Sequence, residues 1–260
     1  MAPPRIEDLA EDAEHTGLFL DFDGTLAEIA PTPEEARAIS GLRPVLERLA
    51  GRFAVVAVVS GRPARQVAGL VEAGIRYYGL YGLEQASGPG TGSVALSGAV
   101  VVALPEIERA AAYVPGTRVE HKGVSAAVHY RAAPDPGSAR RVLLERLGRV
   151  ADRHGLHVLE GKRVVELVAG PRPGKGEVIE RVAGEERLGH VLFAGDDLAD
   201  LDAFAAVDRL AEAGVSGVKV AVRSQETPDP LVDAANVVVE GPRGLLELLE
   251  RMAGPAPDLT

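Results

Sequence analysis

Asp21 and Asp23 stand one residue apart, directly after the apolar run Leu18-Phe19-Leu20 and directly before Gly24-Thr25-Leu26. If a strand persists through them, its period of two sets both carboxylates on one side of the chain. Like charges held that close repel, so the pair gains from a cation or from division into one ionised and one protonated acid. A divalent metal with one nucleophilic and one proton-transferring carboxylate meets both demands. A strand ending in a polar Asp-Gly turn is the structural alternative.

Three further segments carry chemistry at points where an apolar run gives way to a loop or helix. Val58-Val59-Ser60-Gly61-Arg62-Pro63 offers backbone N–H groups, a hydroxyl and a guanidinium to a phosphate, or else Ser60 simply caps a helix. Gly174-Lys175-Gly176 precedes a helix expected from Glu177, where a cation is unfavourable unless an anion is near; an exposed loop lysine is the alternative. Gly195-Asp196-Asp197-Leu198-Ala199-Asp200 brings three acids to a strand end, some of which can serve as helix caps. Magnesium takes oxygen ligands and keeps several waters, which suits one carboxylate from this loop and one from the first.

These loops must be held by a scaffold, and short apolar runs alternating with helical patterns predict a parallel sheet with crossover helices. The expected strands are Gly17 to Asp21, Phe53 to Val59, Arg76 to Leu80, His190 to Ala194, Val218 to Val222 and Val237 to Val239. Helices are expected over Leu42 to Ala50, Ala64 to Val71, Glu177 to Val182, Leu198 to Val207 and Arg243 to Met252. In open α/β sheets the ligand crevice lies outside the carboxyl ends of the strands, so the four loops can converge there. The middle of the chain instead reads strand, strand, helix, strand, strand from Thr117 to Val168, an α+β insertion punctuated by Pro and Gly near 113–116 and 170–174. The glycine-rich stretch Ser87 to Gly98 reads as a turn or hairpin.

Composition narrows the function. The 260 residues carry 28 Lys and Arg against 38 Asp and Glu, a formal charge of −10 that disfavours nucleic-acid binding. With no cysteine there is no thiolate nucleophile, thiolate metal site or disulfide. The acidic Met1 to Thr16 reads as a leader segment without secretory-signal character. The most apolar run, Phe53 to Val59, is far short of the roughly 20 residues that span a bilayer, so a soluble cytoplasmic protein with no membrane partner is expected.

The set Asp21-Phe22-Asp23-Gly24-Thr25, Ser60, Lys175 and Gly195-Asp196-Asp197, in that order, resembles the four motifs of the haloacid dehalogenase superfamily. That resemblance implies a Rossmann-like doubly wound parallel sheet core in two parts, 1–113 and 170–260, with an inserted α+β cap over 114–169. Nearly the whole chain further resembles the trehalose-6-phosphate phosphatase family, through Gly82-Leu83-Glu84, Glu120-His121-Lys122, His129-Tyr130-Arg131, Gly161-Lys162-Arg163-Val164-Val165-Glu166 and Asp202-Ala203-Phe204. It departs from the family pattern at Tyr81, Gly174, Ala199 and Leu201.

The resemblance implies a magnesium-dependent phosphatase that hydrolyses trehalose 6-phosphate through an aspartyl-phosphate, in trehalose biosynthesis. Asp21 would be the nucleophile and Asp23 the general acid and base, with Ser60 and Lys175 assisting. Mg2+ would be held by Asp21, the backbone carbonyl of Asp23 and Asp196, supported by Asp197 through water and by Asp200. Arg62, Glu84, Glu120, Lys122, Arg131, Lys162 and Glu166 would bind the substrate, and His129 would be structural. A phosphatase for sucrose-phosphate, mannosyl-phosphoglycerate or a hexose phosphate, and a non-catalytic sugar-phosphate sensor, are the competing readings.

Overall fold

Runs such as Val55-Val56-Ala57-Val58-Val59 become strands because β-branched residues fit a pleated surface, and a run apolar at every position fits a strand covered on both faces. The computed structural model describes residues 5–89, 98–169 and 174–255. In chain order the elements begin with α1 (Ile6–Glu11), β1 (Thr16–Leu20), α2 (Leu42–Ala50), β2 (Val55–Val59), α3 (Ala64–Val71), β3 (Arg76–Gly79) and β4 (Glu84–Ala86). There follow α4 (Gly98–Ala111), β5 (Arg118–His121), β6 (Ser125–His129), α5 (Pro136–His154), β7 (His157–Gly161) and β8 (Val164–Val168). The remainder is α6 (Lys175–Glu185), β9 (His190–Gly195), α7 (Leu201–Glu212), β10 (Ser216–Arg223), α8 (Asp229–Ala234), β11 (Val237–Glu240) and α9 (Gly241–Ala253).

The chain divides into two units, Met1–Ser93 with Gly174–Thr260, and Val94–Pro173. The first is built on a sheet of order β11-β10-β9-β1-β2-β3-β4. Every pairing in it is parallel except the antiparallel edge strand β4. Alternate strand residues feed two cores, as the pleat requires. Leu18 and Leu20 join α1, α2, α3 and α9 in one, while Phe19 joins α6, α7 and α8 in the other. The chain leaves β1 toward β2 on one side and, after the second unit, returns to β9 on the other. That reversal opens a crevice at the carboxyl end of β1.

The second unit is an antiparallel sheet of order β5-β6-β8-β7. Ala126, Val128, Val165 and Leu167 form its core with the helices α4 and α5. Asp135 starts α5 by accepting from the Gly137 and Ser138 N–H groups, Pro136 fits the first turn, and Gly155 ends the helix in the left-handed region.

The structure departs from the sequence expectation in several places. The supposed leader folds back as α1, and Leu9 is wholly buried in the first unit's core. The second unit begins near residue 94 and takes in α4, so the expected boundary at 113 lies inside it. Helix α4 was hidden because Ala-Val-Val-Val-Ala-Leu carries no helical period and Pro105 sits inside the helix. The turn or hairpin expected over Ser87 to Gly98 lies largely outside the described residues. The helix expected at Glu177 starts two residues earlier, at Lys175, and the one expected at Leu198 opens with a 3-10 turn, Leu198–Asp200. Among the described residues no helix is long and apolar enough to cross a membrane.

Because Leu9 is fully enclosed, Leu9→Ala is expected to cost about 2–5 kcal/mol. Urea denaturation measures it; an unchanged midpoint would mean that α1 is dispensable to the core.

Candidate active site

Strand β1 is flanked by β2 and β9, so the loops that follow all three emerge side by side. The sheet continues one residue past β1, where the Asp21 N–H donates to the Ala194 carbonyl at 2.9 Å. The chain then turns sharply, and the Phe22 carbonyl accepts from the N–H groups of Leu26 and Ala27. Gly24 makes this turn possible. Its φ is +83°, and a Cβ there would lie 2.0 Å from Asp196 Oδ2, so no other residue fits without displacing that acid.

Lys175, the first residue of α6, is almost fully buried and joins the loops together. Its Nζ donates to Asp21 Oδ1 and to Asp200 Oδ1, each at 2.6 Å. It is therefore not an exposed loop lysine. The other oxygen of Asp200 accepts from the N–H groups of Asp196 and Asp197, which folds the loop after β9 around one carboxylate. The Gly176 N–H donates to Asp202 Oδ2, anchoring the start of α6 to α7, a pairing that the residue types do not reveal. Thr25 Oγ1 donates to Asp196 Oδ1 at 3.3 Å.

Asp21, Asp196 and Asp200 offer carboxylate oxygens that lie within 4.8 Å of one another, all three residues being buried. Burial pushes the Asp21 carboxyl well up; Lys175 opposes this, while Asp200 and Asp196 reinforce it. Burial also works against the Lys175 ammonium, but the carboxylates of Asp200 and Asp21 outweigh it and raise the lysine further, so it stays charged. Three buried acids thus share one ammonium. The surplus of carboxylates over ammonium groups and the all-oxygen donor set fit a hard divalent cation.

The remaining predicted residues of the first unit divide. Asp23 does not face the cluster beside Asp21: its two oxygens accept from Arg62 Nε and Nη2, both at 2.7 Å, in a bidentate fork. Arg62 also donates to the Pro33 carbonyl and lies over the Phe22 ring at 5.5 Å. Ser60 is not the N-cap of α3, which is Pro63; its Oγ accepts the Arg62 N–H at 3.1 Å. Glu84 is buried, and its Oε2 accepts the Ala64 N–H, capping α3 from the edge strand. Asp197 Oδ1 accepts from Leu198 N–H, so its carboxylate caps the 3-10 turn and is not part of the three-acid cluster. Tyr81, one of the departures from the family pattern, has φ +57°, and a Cβ on Gly61 would lie 2.7 Å from its hydroxyl oxygen. That ring closes over the backbone beside Ser60, which the sequence did not disclose.

In the second unit the cross-strand register aligns Glu120, Ala127, Glu166 and Leu159 in one row. Glu166 is buried and accepts from Ser125 Oγ at 2.5 Å and from Lys122 Nζ at 3.3 Å. Burial acts to raise the Glu120 carboxyl, but the hydrogen bond with His129, at 2.8 Å, and the charges of Lys122, His129 and Arg118 bring it down to about 2. His129 is thus held as a partner of Glu120. Arg131 and Lys162 are half-buried, at the end of β6 and in the turn between β7 and β8.

A family model described as trehalose-phosphatase matches residues 19–237. The chain belongs to the trehalose-phosphatase family. Among its relatives, the trehalose-phosphate phosphatase of Mycobacterium avium (strain 104) is 36% identical over 260 residues, covering 92% of this chain and 62% of its own length. The one from Mycobacterium ulcerans (strain Agy99) is 35% identical over 256 residues, with 91% and 61% covered. The chain thus spans about three-fifths of the length of these trehalose-phosphatase relatives. The fold matches the C-terminal domain of the C. albicans trehalose-6-phosphate phosphatase with a TM-score of 0.81 at 22% identity, covering 98% of this chain and 99% of that one.

Lys175→Met would leave Asp21, Asp196 and Asp200 buried without their ammonium, an expected loss of about 3–5 kcal/mol at neutral pH. A buried acid whose pKa is raised on folding favours the folded state below its unfolded pKa, and that contribution is lost as pH rises. The deficit of the variant should therefore be smaller at pH 5 than at pH 8 in chemical denaturation. A deficit independent of pH would mean that the carboxylates do not feel the missing charge.

Proposed function

We propose that the protein is a magnesium-dependent phosphatase that hydrolyses trehalose 6-phosphate to trehalose and phosphate through an aspartyl-phosphate. The observation that carries this reading is the buried cluster of Asp21, Asp196, Asp200 and Lys175, lying within the stretch that matches the trehalose-phosphatase family. Asp21 attacks phosphorus, forming a carboxylate O–P bond as the bond from phosphorus to the sugar oxygen breaks. Asp23 gives a proton to that oxygen, then takes one from the water that attacks the aspartyl-phosphate, and phosphate leaves.

Lys175 fixes the Asp21 carboxylate through Oδ1 and sets a positive charge beside the transferring group. Mg2+, held by Asp21, the Asp23 carbonyl and Asp196, would supply charge neutralisation for the phosphoryl oxygens. Asp200 supports the site as the partner of Lys175 and of the loop amides rather than by reaching the substrate. For Asp23 to move protons its fork with Arg62 must open, and a phosphate group is the anion that can compete for that guanidinium. Ser60 adds a hydroxyl to the same loop. Lys122 and Glu166, with Glu120, Arg131 and Lys162, offer donors and acceptors for sugar hydroxyls, while Glu84 contributes by setting the start of α3.

Asp21→Asn is expected to abolish phosphate release, and Asp23→Asn to slow it about 10²–10⁴-fold. Trehalose 6-phosphate should be hydrolysed in preference to sucrose 6-phosphate and glucose 6-phosphate, and a clear preference for either of those would overturn the substrate assignment. Added Mg2+ should raise the melting temperature of the wild-type protein but not of Asp196→Asn, as binding linkage requires.

A further inference from the structure

The second unit carries a feature that plays no part in the proposed reaction. Helix α5 holds Arg140, Arg141, Arg146, Arg149 and Arg153 against only Glu145 and Asp152, an excess of positive charge in a chain whose net charge is −10. Arg146, Arg149 and Arg153 follow one another at three and four residues, which sets them on one face of the helix. Arg109 of α4 lines the same space, and the two helices flank an open cleft of about 320 Å³.

The acids present do not use up this charge. Arg140 pairs with Glu160 away from the cleft, Glu106 binds Arg153 and His154, and Glu145 pairs with Arg149 on the exposed helix surface. That leaves Arg146 and Arg109 of the cleft without a carboxylate among the described residues. Arg109 donates its Nε to the Pro105 carbonyl of its own helix. The guanidinium of Arg146 lies 3.5 Å over the ring of Tyr113, which is 66% exposed. A guanidinium stacked on an aromatic face keeps its edge N–H groups available for planar recognition of phosphate oxygens. The cleft is the size of a small-molecule site.

We propose that this cleft binds a small polyanion bearing two or more linked phosphate groups, with Arg109 and Arg146 as its principal contacts and Arg149 and Arg153 at its rim. Pyrophosphate and a nucleoside triphosphate share that chemistry. The exposed Tyr113 ring gives a base something to stack on, so tighter binding of the nucleotide would assign the ligand to nucleotides and equal binding to the polyphosphate alone.

The test titrates pyrophosphate and ATP into the full chain by calorimetry at low ionic strength without divalent metal. Hydrogen–deuterium exchange then locates the bound site. Binding should weaken with added salt. It should slow exchange in residues 105–113 and 142–153, and fall at least about tenfold in the double variant Arg109→Ala/Arg146→Ala, the loss expected for charge-assisted hydrogen bonds. Arg146→Ala alone provides a milder form of the same change, and both variants should release phosphate from trehalose 6-phosphate at the wild-type rate. Absence of binding, unchanged affinity in the variants, or protection confined to residues 21–25, 60–62 and 174–200 would each overturn the proposal.

Discussion

One buried ammonium holds this site together. Lys175 lies between Asp21 and Asp200, and each bond links parts of the chain that nothing local would bring together. Without it the three carboxylates that two strand-end loops bring together would repel one another in a medium where water cannot screen them. With it, Asp200 is free to turn its second oxygen to two backbone amides and so shape the loop that presents Asp196. The lysine also sits at the first position of α6, where the dipole disfavours a cation, so the two carboxylates must offset that cost as well.

Much of this was legible in the residues. The parallel sheet follows from valine-rich runs bounded by helical patterns, and the convergence of four loops follows from their places at strand ends. What pattern cannot supply is the direction of a side chain. Asp21 and Asp23 read as a pair on one face, yet the chain bends at Phe22, and the two acids take separate cationic partners, Lys175 and Arg62. Asp197 and Asp200 read as equivalent supports, yet one caps a turn while the other holds the lysine. Glu84 and Asp202 brace helix starts from positions distant in sequence.

The errors in element assignment share a cause. Helix α4 contains a proline and a run of three valines, so its local preferences oppose its state, and burial of Val100, Ala103 and Ile107 against the second unit's sheet prevails. The acidic N-terminal segment likewise reads as solvated, although Leu9 and Ala13 are buried in the first unit's core and Ile6 and Ala10 pack against it. In both cases tertiary contact overrides a composition that points elsewhere.

The order of the strands bears on how the protein is made. Asp21 emerges from the ribosome early, but β1 gains its neighbour β9 only when residues 190–195 have been synthesised, and Lys175 and Asp196 belong to that same late portion. A nascent chain of 170 residues therefore has Asp21 but neither the ammonium of Lys175 nor the carboxylates of Asp196 and Asp200 that complete the cluster. Synthesis that stops between residues 60 and 170 leaves a fragment whose central strand is paired on the β2 side alone and whose centre is not assembled, a target for proteolysis rather than a partly competent protein.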